Sequence, residues 1–150
     1  MKSILDLMKD SIQKKYSTIS PFQMVIVRRR GTAIVETPKG ILVTSGRHKV
    51  FLLPGGTAKR WESRRGAAIR ELKEETSLKE YSCKYLFTYH EPKWAKHRAF
   101  HKVFLIKAKG IPKPSHHDVS HIAFWKPGSD IKISRSTRII IEKYLKKRQV

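Results

Sequence analysis

The feature that most constrains this chain is a run of fixed spacing: Gly56-Thr57-Ala58-Lys59-Arg60-Trp61-Glu62, seven residues, then Arg70-Glu71-Leu72-Lys73-Glu74-Glu75-Thr76-Ser77-Leu78. On a helix, Glu71, Glu74 and Glu75 stand at i, i+3 and i+4, so their carboxylates leave neighbouring turns of one face. Three anions this close repel one another unless a cation intervenes, and hard oxygen donors grouped in this way suit Mg²⁺ or Mn²⁺. Taken alone, Glu-x-x-Glu-Glu reads as a solvated helix face in which Arg70 and Glu74 form an ordinary i,i+4 pair. The wider spacing reverses that preference. Gly56, Glu62, Arg70, Glu71, an aliphatic at 72, Glu74 and Glu75 coincide by chance on the order of 10⁻⁸ times per start position. The expectation is metal-assisted cleavage of a phosphate linkage.

The run resembles the Nudix box: Gly, five residues, Glu, seven residues, then Arg-Glu-aliphatic-x-Glu-Glu-x-Gly-aliphatic. Pro54-Gly55-Gly56 also matches the usual approach to the box, and one fixed position departs from it, with Ser77 where the box has Gly. That Gly ends the helix in a left-handed conformation, so serine there implies some strain or an altered turn.

The resemblance covers residues 20 to 148 and implies an α/β fold, a mixed β-sheet sandwiched between α-helices. It also implies that Glu71, Glu74 and Glu75, with the Gly56 carbonyl, bind Mg²⁺ or its substitute Mn²⁺. Glu62 and Arg70 then brace loop and helix, and Glu75 is the closest ligand and the most damaging single loss. Many family members add a carboxylate from a loop outside the box as general base. Of Glu91 and Asp118, the acids in plausible loops, Asp118 is the better candidate because it precedes Trp125-Lys126-Pro127, a turn that resembles one late in many Nudix chains.

Substrate selection points to Tyr89-His90-Glu91-Pro92-Lys93-Trp94-Ala95-Lys96-His97-Arg98, which follows the box at the distance where relatives place such residues. Trp94 could stack on a nucleobase, and Lys93, Lys96 and Arg98 could hold phosphates beyond the scissile bond. An isolated tryptophan in a loop is more often a packing residue. Within the box, Lys59, Arg60, Arg64 and Arg65 form a basic group, with Arg60 a candidate substrate contact or part of a solvated face.

Charge points the same way. With 33 basic and 12 acidic residues the formal net charge is +21, which favours polyanionic partners. A phosphorylated nucleotide satisfies that, and RNA is a further candidate. The 150 residues suffice for one domain with a substantial core. No apolar run is long enough for a secretory or membrane-spanning segment, so a cytoplasmic protein without membrane attachment is expected. Cys83 is the single cysteine, expected to be small and half-buried, which excludes an intrachain disulfide or a Cys-rich zinc site. His116, His117 and His121 surround Asp118 and read as loop histidines rather than zinc ligands.

Periodicity places an amphipathic, core-packing helix at residues 2 to 16 and strands at Phe22 to Val27, Thr32 to Glu36, Gly40 to Thr44 and Val50 to Leu53. Turns are expected at Arg30-Gly31, Pro38-Lys39-Gly40 and Ser45-Gly46. A helix follows at 64 to 76 with Ala68, Ile69 and Leu72 inward, the small Ala68 permitting close approach to a sheet. Strands are expected at 81 to 89, 100 to 108 and 121 to 125, and a basic last helix at 136 to 148 buries Ile140, Ile141, Tyr144 and Leu145.

Two function classes remain at this point. One is a hydrolase of nucleoside diphosphate derivatives, with dinucleoside polyphosphates, nucleoside triphosphates or RNA 5′ ends as substrates. The other is a basic RNA-binding or regulatory protein that keeps the fold. The complete acidic set argues against the second, because a binder of anions gains nothing from three clustered glutamates.

Overall fold

The computed structural model describes residues 1–9, 26–95 and 98–149. Residues 4–9 (α1) are helical. There follow β1 (Arg28–Ile34), β2 (Glu36–Thr37), β3 (Gly40–Ser45), β4 (Gly55–Thr57), α2 (Arg64–Thr76), β5 (Lys79–His90), β6 (Ala99–Lys109), β7 (His121–Trp125) and α3 (Arg135–Arg148). The strands make a four-stranded mixed sheet in the order β4-β1-β6-β5 and a three-stranded antiparallel sheet in the order β2-β3-β7.

Strand alternation sorts the apolar side chains between two helices. Ile34, Ile41, Val43 and Val103 join Ile140, Ile141 and Tyr144 of α3 in one core cluster, with Trp125 at the end of β7. Their sequence neighbours Ala33, Val35, Leu42 and Phe104 join Ala68 and Leu72 of α2 in the other. The sheets therefore lie between α2 and α3, the expected α/β sandwich.

The catalytic-helix expectation, 64 to 76, coincides with α2. Ser63 caps its N-terminus, its side chain accepting from Gly66 N at 2.9 Å. At the other end Ser77 holds φ 65°, a left-handed conformation, and its N–H donates to the Lys73 carbonyl at 2.9 Å. Serine thus takes the backbone geometry of the glycine it replaces. Ala67, Ala68 and Leu72 are buried, while Ile69 is half-buried against the same cluster.

Two expectations are corrected, and a third lies largely outside the described residues. Arg30-Gly31 is no turn: both residues lie inside β1, and Gly31 is the point where α2 crosses the strand. A Cβ on Gly31 would stand 1.9 Å from the Arg64 carbonyl oxygen and 2.7 Å from Ala68 N. The glycine marks close packing rather than a reversal. The separate strand at Phe22 to Val27 lies largely outside the described residues, and Ile26 and Val27 precede β1 without strand structure. The first helix does not pack its described apolar residues into the core, since Ile4, Leu5, Leu7 and Met8 are all more than half exposed. Ser3 caps it, with Ser3 Oγ accepting from Asp6 N at 3.2 Å, so capping rather than burial supports these residues. The rest of the expected helix lies outside the described residues.

Val50 to Leu53 contributes two isolated bridges, Phe51 to Ile133 and Leu52 to Thr44, rather than a full strand. The last helix keeps its expected extent to within a residue, with Leu145 half-buried. Two of its basic residues do more than face water. Lys147 donates to the Leu86 carbonyl at 2.6 Å and Arg148 pairs with Glu36, tying α3 to both sheets.

Candidate active site

The box residues converge where α2 passes β4. Gly56 lies in β4, and a Cβ there would fall 2.5 Å from Glu71 Cδ and Oε1, so the missing side chain lets the Glu71 carboxylate lie against the backbone. Glu75 is the innermost acid. It accepts from Thr44 Oγ1 at 3.3 Å and from Gly55 N at 3.4 Å, which binds β3, β4 and α2 together at one carboxylate. Burial pushes its pKa up to about 7, with Glu71 adding repulsion and Arg30 only partly offsetting both. Glu74, the residue before it, is exposed.

Arg70 organises the outer part. Its Nε and Nη2 donate to the two Glu62 oxygens at 2.8 and 2.9 Å, and Nη1 reaches Glu71 at 2.9 Å and Glu74 at 3.2 Å. Both partners are half-buried, a bidentate pair rather than a sealed one. The bond to Arg70 holds the Glu62 carboxyl down to about 2, helped by Lys59 N donating to it at 3.1 Å. Since Glu62 N also donates to the Lys59 carbonyl at 2.9 Å, the brace fixes the 59–62 turn against the helix.

These donors fit a hard divalent cation. Every group is an oxygen, the carboxylates come from successive turns of one helix, and burial disfavours the Glu75 charge by more than its protein partners favour it, which a cation would reverse. Glu71, Glu74, Glu75 and the Gly56 carbonyl are the residues that could hold it.

Candidates outside the box are distributed differently. Asp118 is exposed, its carboxylate 3.6 Å from His116 Nδ1 and 3.3 Å from His117 Nε2, and no described contact joins it to the glutamates. Its loop is nonetheless tethered to the end of α2, through Ser115 N donating to the Glu75 carbonyl at 3.2 Å and Lys113 N to that of Thr76 at 3.0 Å. His116, His117 and Asp118 have ligand atoms within 4.8 Å of one another, and His121 stands apart from that group in β7. Trp94 is exposed with the Arg135 guanidinium 4.8 Å from its ring centre, and Arg60 similarly lies 5.1 Å from Trp61. Lys93 is exposed. Arg98 is committed to its own loop, Nε donating to the Glu91 carbonyl at 3.2 Å with the guanidinium over Phe100. Lys96 lies outside the described residues. Cys83 is half-buried, its thiol pKa raised by burial.

Sequence reasoning missed Arg30, Thr44 and His101. Arg30 lines a cavity beside the glutamates with one guanidinium donor on the Leu53 carbonyl at 3.3 Å. The alternating Arg28-x-Arg30-x-Thr32 at the start of a strand was the available signal.

Comparison with known proteins agrees with this geometry. A family model described as the NUDIX domain matches residues 25–143. Among solved structures, a nudix hydrolase family member from Chromobacterium violaceum is 39% identical, the match covering 83% of this chain and 81% of that one with a TM-score of 0.72. The NUDIX domain of Shewanella oneidensis NrtR, complexed with ADP ribose, shares the fold at 14% identity, 92% and 99% coverage and a TM-score of 0.69. A bifunctional NMN adenylyltransferase/ADP ribose pyrophosphatase from Francisella tularensis, complexed with AMP and Mn ion, does so at 19% identity and a TM-score of 0.65, with 96% of this chain matching 48% of that one. No curated protein matches. With the family model spanning most of the chain and the box acids gathered around Gly56, the chain belongs to the Nudix hydrolase family.

Proposed function

We propose that this protein is a Mg²⁺-dependent pyrophosphohydrolase that cleaves a diphosphate linkage in a nucleoside diphosphate derivative, with dinucleoside polyphosphates or nucleoside triphosphates as its substrates. The carrying observation is the convergence of Glu71 and Glu75 on the Gly55-Gly56 backbone, which leaves a buried carboxylate without a full counter-charge. A divalent cation bound there supplies charge neutralisation on the phosphate oxygens and makes water easier to deprotonate.

The chain's own residues do the positioning. Arg70 holds Glu71 and Glu74 in place while Glu62 anchors Arg70, and Thr44 and the Gly55 amide orient Glu75. Asp118, on the loop tethered to the Glu75 carbonyl, is assigned as the proton acceptor outside the box. Trp94 is assigned to the nucleobase, Lys93, Lys96 and Arg98 to phosphates beyond the scissile bond, and Arg60 to the mouth of the site. ADP ribose and AMP on the two structural neighbours support a nucleotide substrate, and the Mn ion on one supports a divalent cofactor.

A second reading, RNA binding or action on RNA 5′ ends, is favoured by one feature. On the outer part of β5 the exposed Tyr81 and Tyr85 lie near lysines, Lys109 at 5.4 Å and Lys102 at 5.9 Å from the ring centres, a pairing suited to stacked bases and phosphates.

The test is turnover with Mg²⁺ over nucleotide sugars, dinucleoside polyphosphates, nucleoside triphosphates and 5′-triphosphate RNA, for the wild type and Glu75→Gln. The expected result is turnover of a polyphosphate nucleotide and a loss of about 10³-fold in kcat for the variant, equivalent to the several kcal/mol a metal contributes. Equal activity of the variant overturns the assignment. RNA affinity that falls steeply with salt and ignores the substitution, without turnover of any substrate, supports the binding reading.

A further inference from the structure

The face of the four-stranded sheet that α2 covers is left open at one corner. Ala33 and Phe104, in register on β1 and β6, pack against α2. Alternation back along the strands puts Gly31 and Arg29 of β1, and Lys102 and Phe100 of β6, on that same face. From β5, Tyr85, Thr88 and His90 join them as the register partners of Phe104, Lys102 and Phe100. Arg30 and His101, at the intervening positions, face α3 and line the recess beside the glutamates. Because α2 begins over Gly31, it leaves Arg29, Tyr85 and His90 exposed.

Flat rings and cations meet in this corner. The exposed His90 ring stacks on Phe100, centroids 3.8 Å apart and planes 18° from parallel. Tyr85 stands edge-on to Phe104 at 5.9 Å, and its hydroxyl shares a hydrogen bond with Thr88 Oγ1 at 2.8 Å. Their β6 partners are four residues apart, about 13 Å along a strand, so the two rings form separate platforms. Around them, the Lys102 amino group lies 5.9 Å from the Tyr85 ring centre and the Arg65 guanidinium 5.9 Å from that of Phe104. Arg64 donates to the Phe100 carbonyl at 3.4 Å, and burial, then the neighbouring Arg29 charge, lowers its pKa. Among the described residues, Arg29, Arg64, Arg65 and Lys102 form no ion pair with a carboxylate. Surplus positive charge is general in this chain, so the interleaving with rings is what singles out the corner.

An acidic peptide would use the cations and leave the rings idle, and a duplex keeps its base faces covered. A single strand uses both, its phosphates meeting the cations and its unstacked bases the rings. We propose that this corner of the α2 face binds single-stranded RNA, with phosphates on Arg29, Arg64, Arg65 and Lys102 and bases on Tyr85 and His90. The choice of RNA rests on the second reading above, which the proposal deepens by giving the strand one face of the sheet. Hydrolysis at the glutamates is not required for it. Of the two ring and lysine pairs on β5, only Tyr85 with Lys102 belongs here, because Lys109 falls on the alternate positions of β6.

The test is fluorescence anisotropy of a labelled 5′-hydroxyl oligouridine of about 12 nucleotides with the metal-free full chain, over a salt series. Lacking a 5′ phosphate, the probe offers the glutamates no diphosphate. The wild type is expected to bind it more tightly than an RNA duplex of the same length. The double variant Arg29→Gln, Lys102→Gln should weaken binding at least about fivefold and flatten the slope of log affinity against log salt by about 1.4, at about 0.7 for each lost phosphate contact. Tyr85→Ala should weaken binding about fivefold or more with the slope kept, and Tyr85→Phe should retain most of the affinity. Lys146→Gln, near the end of α3, should change affinity less than about twofold. Glu75→Gln should bind as the wild type does, which separates this result from turnover. A wild type that binds no RNA overturns the proposal together with the RNA reading. RNA binding that is unchanged in either the double variant or Tyr85→Ala overturns the proposal alone, as does an equal loss in Lys146→Gln, which would mean diffuse charge, or a duplex bound as tightly as the single strand. Should Tyr85→Ala not fold, His90→Ala takes its place, and unchanged affinity there also overturns the assignment.

Discussion

The glutamate cluster and the Arg30 recess are neighbours built in opposite ways. In the first, the acids and their brace come from one short segment, so a linear spacing encodes a three-dimensional site. In the second, the wall is gathered from residues 28 to 32, 52 to 57, 91 to 101 and 136 to 140, joined by the pairing of β1 with β6 and with β4 and by the packing of α3. The electrostatics differ too. Glu62 and Arg70 meet as a solvent-touching pair that satisfies both, whereas Glu75 and Arg30 are drawn inward and each is disfavoured more by burial than it is helped by the other. A surface brace holds geometry at little cost in desolvation, and an enclosed pair of functional groups keeps unspent capacity for a ligand.

The harshest way to break this arrangement is Gly31→Ala, because Gly31 lies between Arg30 and Thr32 on β1 and beneath α2. The added methyl would meet main-chain atoms of Arg64 and Ala68, which cannot rotate away. We expect a loss of about 3 kcal/mol or more in stability, read as a lower denaturant midpoint, together with a collapse of turnover as α2 is displaced from β4. A midpoint within error of the wild type would show that the helix does not depend on this contact.

Opposite pH slopes sharpen the comparison next, in metal-free protein. The Glu62 pKa is depressed to about 2 from an ordinary 4.5, so its contribution is fully present above pH 4.5 and is lost as pH falls through about 2. The Glu75 pKa is raised to about 7, so the stability it allows is present below pH 4.5 and is lost as pH rises through about 7. Chemical denaturation across pH should therefore show Glu62→Gln flattening the acid limb and Glu75→Gln flattening the neutral limb. Mg²⁺ should relieve the second and leave the first unchanged. Identical slopes in both variants would mean that the two carboxylates share one environment.

What could be read from the sequence follows the same division. The extent of α2 and the pairing of Glu62 with Arg70 were legible because spacing along a helix is local information. Gly31 was misread because a glycine after arginine carries the same signal whether it turns a chain or yields to a crossing helix. The exposure of Ile4 and Leu7 was not legible, since amphipathic spacing says which face is apolar and not whether a partner covers it. Arg30 and His101 escaped because parallel pairing across about 70 residues leaves no mark in either strand.

The smallest effect concerns the one position where this chain departs from the box. Ser77 takes a left-handed conformation with φ 65°, in which a side chain crowds the carbonyl that follows, and its amide still closes the helix on Lys73. Ser77→Gly should relieve that crowding at the cost of a more flexible unfolded chain, a net gain of about 0.5–1 kcal/mol. Thermal unfolding would show it as a rise of a few degrees in Tm, and turnover should be unchanged because the amide that closes the helix and the bonds that orient Glu75 are both kept. A drop in Tm would mean that the serine side chain stabilises this helix end through contacts worth more than the strain. The departure from the box would then be an adaptation of this helix rather than a tolerated substitution.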